Sequence, residues 1–326
     1  MKAREPNHKS KHSSKNISTD SVTVEVPGST ANLGPGFDTL ALALTIYARL
    51  TFTLLPENEK NAPFVAASGM DQSSLETAIP RFIFKVLQER IKMQPQIIKR
   101  LHLDVDSQIP IGRGFGSSAA MVMATLYASE RLCKRVPDRQ SLLSLGAAIE
   151  GHADNAAASL LGGLVVTSIA DDRRTVLAKR LEWPEDWHLI LVVPPRQLTT
   201  NKARSVLPKT VPYEDAVYNV QRTALLLAAI QNQDEELARE ALHDRLHEKY
   251  RAELIPELEA LKKEFRDSAA IGCVLSGAGS SVLMPVHEGK KKDLLKQITN
   301  WLKQQGMDSH ILDLKVDEKG LKELNV

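Results

Sequence analysis

The chain has 326 residues, 43% apolar and 25% charged, which excludes a mostly disordered or collagen-like protein and suggests two domains or one large one. Lys plus Arg total 42 against 40 Asp plus Glu, so no general electrostatic reason exists to expect a nucleic-acid partner. Cys133 and Cys273 alone cannot form a disulfide framework or a cysteine-rich zinc site, and free thiols in a reducing cytosol are expected.

Residues 1–20 are basic and polar and carry no apolar core of a secretory leader; a flexible solvated tail is expected there. No apolar stretch is long enough to span a bilayer, so the expectation is a cytoplasmic protein with no membrane partner. Val22, Val24 and Val26 alternate with polar residues as a strand does, with Pro27-Gly28 as its stop. Leu40 to Leu55 reads as more sheet. Ile83, Val86, Leu87 and Ile91 recur at helical spacing after Pro80, and Leu101, Leu103 and Val105 alternate again. A glycine-rich loop then feeds a helix predicted over 117–135, followed by one over 139–150. LVVTSIA reads as a strand, and LILVVPP (189–195) as a buried one. Helices are predicted over 213–230, 234–246 and 256–265. A strand–turn–strand follows around SGAGSS, then an amphipathic helix and a closing strand HILDLKV. This mixture, without strict βαβ alternation, argues for an α+β fold. The division is expected between Val165 and Leu189, giving an N-terminal domain over 21–170 and a C-terminal domain over 171–326.

Four loops have the composition for chemistry. In Pro110-Ile-Gly-Arg-Gly-Phe-Gly-Ser-Ser-Ala-Ala120 three glycines alternate just before a helix start. Main chain of that kind approaches a phosphate closely, and unpaired helix N–H groups favour anions. The spacing is neither a P-loop, which needs Lys after its glycines, nor a dinucleotide fingerprint. A Cβ at Gly114 is expected to block the phosphate path. In Ala31-Asn-Leu-Gly-Pro-Gly-Phe-Asp38, Asn32 and Asp38 stand at the ends of a tight turn; they suit either an ammonium and a hydroxyl or their own backbone. Glu150-Gly-His-Ala-Asp-Asn155 offers a carboxylate for a hard cation beside polar side chains. Leu275-Ser-Gly-Ala-Gly-Ser-Ser281 is a fourth close-approach loop or a plain hairpin turn. Arg204 and Arg251 carry planar forks matched to a carboxylate.

In combination these stretches resemble the GHMP kinases. The ANLGPGFD turn, the HADN box, TTNKAR followed by LP, and Asp244, His247, Tyr250 and Arg251 in D-x-x-H-x-x-Y-R narrow the resemblance to the homoserine kinases. It covers about Val22 to Val286. It implies two α+β domains, the first like ribosomal protein S5 and the second ferredoxin-like, with the active site between them. It implies transfer of phosphate from ATP to the side-chain hydroxyl of L-homoserine, giving O-phospho-L-homoserine, a step of threonine biosynthesis. Homodimers occur in the family.

Residue by residue, the resemblance assigns Pro110, Ile111, Gly112, Arg113, Gly114, Phe115, Gly116, Ser117, Ser118, Ala119 and Ala120 to the ATP phosphates, with Gly277 and Gly279 supporting them. Ser118 and Glu150 would face Mg²⁺. Asn32, Asp38, His152, Asn155, Thr200, Arg204 and Arg251 would surround homoserine, whose ammonium suits Asp38, whose carboxylate suits Arg204 and Arg251, and whose hydroxyl suits Asn155 or Asn32. Some relatives use an Asp base where this chain has Asn155. The expectation is therefore direct attack by an oriented hydroxyl, with Asp154 as the alternative base. The chain departs from the pattern at Arg113, Phe115, Ala153, Lys249 and Ser280, and the spacing of Glu150 differs among members. Two alternatives stand beside this reading: a GHMP-type kinase of another small alcohol such as mevalonate, which has no ammonium for Asp38, and a non-catalytic nucleotide-binding regulator.

Overall fold

A computed structural model of the protein describes residues 21–56 and 65–325; the tail expected over 1–20 lies outside them. The chain forms β1 (Ser21–Ala31), β2 (Leu40–Leu54), β3 (Val65–Gly69), α1 (Gln72–Lys85), α2 (Pro95–Ile98) and β4 (Leu101–Ser107). Next come α3 (Ser117–Leu132), α4 (Arg139–Glu150), α5 (Asp154–Leu161), β5 (Leu164–Ile169) and β6 (Val176–Leu181). The remainder gives β7 (Trp187–Val193), α6 (Thr200–Ser205), α7 (Tyr213–Asn232), α8 (Glu235–Ala241), α9 (Glu248–Arg251), α10 (Pro256–Glu264), β8 (Val274–Leu275), β9 (Val282–His287), α11 (Glu288–Gln305), β10 (His310–Leu314) and β11 (Lys322–Leu324).

The strands form two sheets. The first has seven strands among the described residues, in the order β11-β1-β2-β4-β3, with β5 on the first part of β2 and β6 beyond β5. Only β3 and β4 run parallel in it. The second sheet is antiparallel, in the order β10-β7-β9-β8. A boundary at residue 170 would cut the β5–β6 hairpin, and β11 returns to the first sheet beside β1. The sheets part between Leu181 and Trp187.

Burial explains the layering. α3 is apolar on nearly every side, with Ala119 to Leu126 all buried, as a helix held inside a domain must be. It packs on β1, and α5 packs on β1 and β2. All seven residues of β7 are buried. Leu189, Leu191 and Val193 join the core of the first sheet, while Ile190 and Val192 join a second core with α10 and α11. The unbroken apolar run follows from having both faces covered.

Several expectations change. β1 does not stop at Pro27-Gly28; its register shifts there and pairing with β2 continues to Ala31. The β11 pairing covers only Thr23–Glu25, so the proline lies where β1 has become an edge, the place a sheet tolerates it. Pro80 lies inside α1, which starts at Gln72 after Asp71 in the left-handed region. The helix predicted over 234–246 ends at Ala241, because Asp244 accepts N–H bonds from Leu246, His247 and Glu248 and starts a new turn. β6 escapes the pattern because half of its side chains are polar or exposed, as on a solvated edge. Both cysteines are free. Among the described residues no helix is long and apolar enough to cross a membrane.

Candidate active site

The four loops meet in one cleft of about 300 Å³. Past its bulge, β1 turns its free edge to two of them. Ser29 N donates to Phe115 O at 2.9 Å, and Gly277 N donates to Ala31 O at 3.0 Å. The glycine loops also bond to each other: Ser276 Oγ donates to Gly114 O at 2.7 Å and Ser281 N to Arg113 O at 3.2 Å. Gly114 has φ +83°, and a Cβ there would lie 2.1 Å from Ser276 O. Glycine is required at this position because two main chains touch. The expectation that a Cβ would obstruct a phosphate is corrected accordingly.

At the front of α3 the cap residue is Gly116, and no side chain caps the helix. The first-turn N–H groups therefore face the cleft as an anion site. Arg113 does not line the cleft. It pairs with Asp71 at 2.6 Å, and Asp71 also accepts from Ile111 N at 2.9 Å. That pair pins the loop from behind. Pro110 and Ala120 are buried behind it, whereas Ile111, Gly112, Gly114, Phe115, Gly116, Ser117, Ser118, Ala119, Gly277 and Gly279 form the wall.

Opposite charges occupy the other end. Arg204, on α6, donates to both oxygens of Asp38, at 3.0 and 2.5 Å. Burial opposes the charge on Arg204, but Asp38 outweighs it and holds its pKa above the ordinary value. Asn32 is tied on both sides: its Nδ2 donates to Gly277 O at 2.7 Å, and its Oδ1 accepts from Asp38 N at 3.1 Å. Its first task is to join two loops. Arg251 is buried and donates to Ala203 O, Gly277 O and His247 Nδ1. Because a guanidinium only donates, His247 Nδ1 must accept, so Nε2 carries the proton given to Gly34 O at 2.8 Å. Burial pushes the His247 pKa down, consistent with a neutral ring. Burial, with Arg204 nearby, pushes Arg251 down to about 10. The Phe37 ring stacks on His247 at 4.9 Å, with Arg204 and Arg251 at 5.6 and 5.3 Å from its centre.

Between these ends lie the HADN residues. Ser118 Oγ donates to Glu150 Oε1 at 2.7 Å. Burial raises the pKa of Glu150. Burial by itself would lower that of His152, yet its 2.8 Å bond to Asp154 raises it overall. Asn155 and Thr200 also line the cleft, and Ala78, Ile79, Phe82 and Leu198 give it an apolar side. The cleft thus combines an uncapped helix start, a carboxylate hydrogen-bonded to a serine hydroxyl, and paired charges of both signs.

GHMP kinase N-terminal and C-terminal family models match residues 78–163 and 226–304. A homoserine kinase of Caldanaerobacter subterraneus is 35% identical over 92% of this chain and 94% of its own length. One from Clostridium botulinum is 33% identical over 92% of this chain and 97% of its own. The chain belongs to the homoserine kinases of the GHMP kinase family. The crystal structure of a homoserine kinase from Cytophaga hutchinsonii shares the fold, with a TM-score of 0.75 over 94% of this chain and 98% of that one at 24% identity.

Reading this GHMP kinase from sequence alone missed Asp71, Ser276 and Glu248. Glu248 bridges Leu275 N and Lys262, both at 2.6 Å, and so holds the fourth loop. Ser276 lies within the SGAGSS loop and Glu248 beside His247 of the D-x-x-H-x-x-Y-R pattern, but no local signal marks Asp71.

Two measurements test this geometry. Gly151 also has positive φ, +82°, but a Cβ there meets nothing within 4 Å. Gly151→Ala should cost only about 1 kcal/mol of backbone strain. Gly114→Ala should cost clearly more in urea denaturation and should also weaken binding of an ATP analogue. Equal losses would disprove the loop contact. A histidine pKa raised by folding adds stability that is full below the unfolded value of 6.5 and fades as pH climbs through the folded one. NMR titration should place His152 above 6.5, and Asp154→Asn should bring it down.

Proposed function

We propose that this family member transfers the γ-phosphoryl group of ATP to the side-chain hydroxyl of L-homoserine, through residues of the cleft just described. The observation that carries this reading is the Asp38–Arg204 pair, set in the same cleft as the uncapped front of α3. An α-amino acid brings an ammonium and a carboxylate together. It can exchange with the pair, ammonium to Asp38 and carboxylate to Arg204, without leaving either protein charge uncompensated. Arg251 adds positive charge behind the carboxylate, and Thr200 adds a hydroxyl at the rim.

Phosphoryl transfer asks chiefly for positioning and charge neutralisation. The hydroxyl oxygen bonds to the γ-phosphorus as the bond from phosphorus to the bridging oxygen breaks. The electron pair leaves with ADP, and the hydroxyl proton passes to a phosphate oxygen or to water. Glycine-loop main chain and the α3 N–H groups would hold the phosphate oxygens. Ser118 and Glu150 form a small set of hard oxygen donors suited to Mg²⁺, with phosphate and water left to fill its shell. When bound, such an ion neutralises charge on the transferring group.

The direct experiment mixes Mg-ATP with L-homoserine, mevalonate or buffer and follows ADP release. Release with homoserine is expected; turnover of mevalonate alone would replace the reading. Arg204→Ala should reduce kcat/KM for homoserine about 10- to 150-fold, from a lost charged hydrogen bond of roughly 1.5–3 kcal/mol, and leave ATP binding nearly unchanged. An unchanged kcat/KM would remove Arg204 from the substrate site.

Glu150 gives a test of the cation site. Its folded pKa lies above the 4.5 of the unfolded chain, so ionising it costs stability as pH rises through that window. At pH 7 without metal, Glu150→Gln should therefore melt no lower than the parent. With Mg²⁺ and an ATP analogue, the parent should gain melting temperature and the variant much less. Equal gains would exclude Glu150 as the metal's ligand.

A further inference from the structure

Two hydrogen bonds fix the Asn155 side chain, one at each end of its amide. Its Nδ2 and its own main-chain N–H both donate to Asp154 Oδ1, at 3.1 and 2.7 Å. His152 Nδ1 lies 2.8 Å from the same oxygen. A carboxylate oxygen accepts, so the amide atom facing it is nitrogen. The amide oxygen is turned the opposite way, where Ser29 Oγ donates to it at 2.9 Å. That end is enclosed: a Cβ on Gly116 would stand 2.8 Å from Asn155 Oδ1 and 2.1 Å from Ser29 Oγ.

Ser29 is fully buried on β1 and donates its main-chain N–H to Phe115 O. One serine thus touches the glycine loop through its backbone and the HADN residues through its hydroxyl. Asn155 lines the cleft. Its amide nitrogen has two protons, one of them already given to Asp154. Among the described residues nothing accepts the other, which is left to serve a ligand.

Building on the homoserine kinase reading, we infer that Ser29 is a positioning residue: its hydroxyl holds the Asn155 amide so that the remaining N–H donates to the substrate's hydroxyl oxygen. Asn155 then takes no proton. It fixes the nucleophilic oxygen and turns the substrate's O–H toward a phosphate oxygen, which receives the proton as oxygen bonds to phosphorus and ADP departs. Asp154 Oδ1, with three neighbours already, serves as the anchor of this arrangement.

The test is a double-mutant cycle on the full chain with Ser29→Ala and Asn155→Ala, read by steady-state ADP release with homoserine and by thermal midpoint. Ser29→Ala should lower kcat about 3- to 10-fold, the range of one neutral hydrogen bond, with both KM values within about twofold. In the Asn155→Ala background the same change should alter kcat less than about twofold, since nothing remains to position. Ser29→Cys, of similar shape but a weak donor, should show a partial loss and supplies a second cycle if Ser29→Ala does not fold. Equal losses in both backgrounds, or a loss confined to the KM for ATP or to the thermal midpoint, would overturn the inference. If the parent releases no ADP with homoserine, the functional reading fails first; additive losses in an active parent sink this inference alone.

Discussion

The free edge of β1 is the constraint on which the cleft depends. An interior strand spends its N–H and C=O groups on neighbouring strands. Here the β11 pairing ends at Glu25, a bulge follows at Pro27-Gly28, and among the described residues no strand faces the next ones on that side. Their main-chain groups bind loops instead: Ser29 holds Phe115, and Ala31 holds Gly277. Buried polar backbone must find partners, so these bonds draw two distant glycine loops to one spot. The uncapped start of α3 and the HADN residues then come within reach of both.

Charge is arranged with similar economy. Asp38 and Arg204 neutralise each other across the cleft, while buried Arg251 is surrounded by carbonyl oxygens and a histidine. His247 accepts from Arg251 on one nitrogen and donates to Gly34 O with the other, so a single neutral ring links the Asn32–Asp38 turn to α9. Phe37 stacks on this ring and lies within cation–π distance of both guanidinium groups, so its π-face helps offset the nearness of two cations.

Much of this arrangement was legible in the residue order. The bounds of α4 follow from Asp138 and Gly151 at its two ends, which are ordinary helix punctuation. β7 followed from its apolar run, and the loops from glycine spacing. What stayed hidden depends on partners remote in sequence. Nothing near Asp71 announces that it holds Arg113 some forty residues later. Pro27-Gly28 is a proper stop signal by local rules, and only the short reach of β11 turns it into a bulge. The resemblance assigns Asn32 and Arg251 to ligand contact, yet each first serves to tie loops together. Residue type tells what a side chain can bond, while the fold decides what reaches it first.

β7 has a mechanical consequence. Its alternate side chains are rooted in two different cores, so the two sheets cannot swing apart about this strand without tearing one of them. A hinge of that kind is absent from the spine. At the rim, by contrast, six-residue α6 carries Arg204 with about a third of its side chain in solvent. The protein is in effect a vise whose spine is clamped by two cores at once.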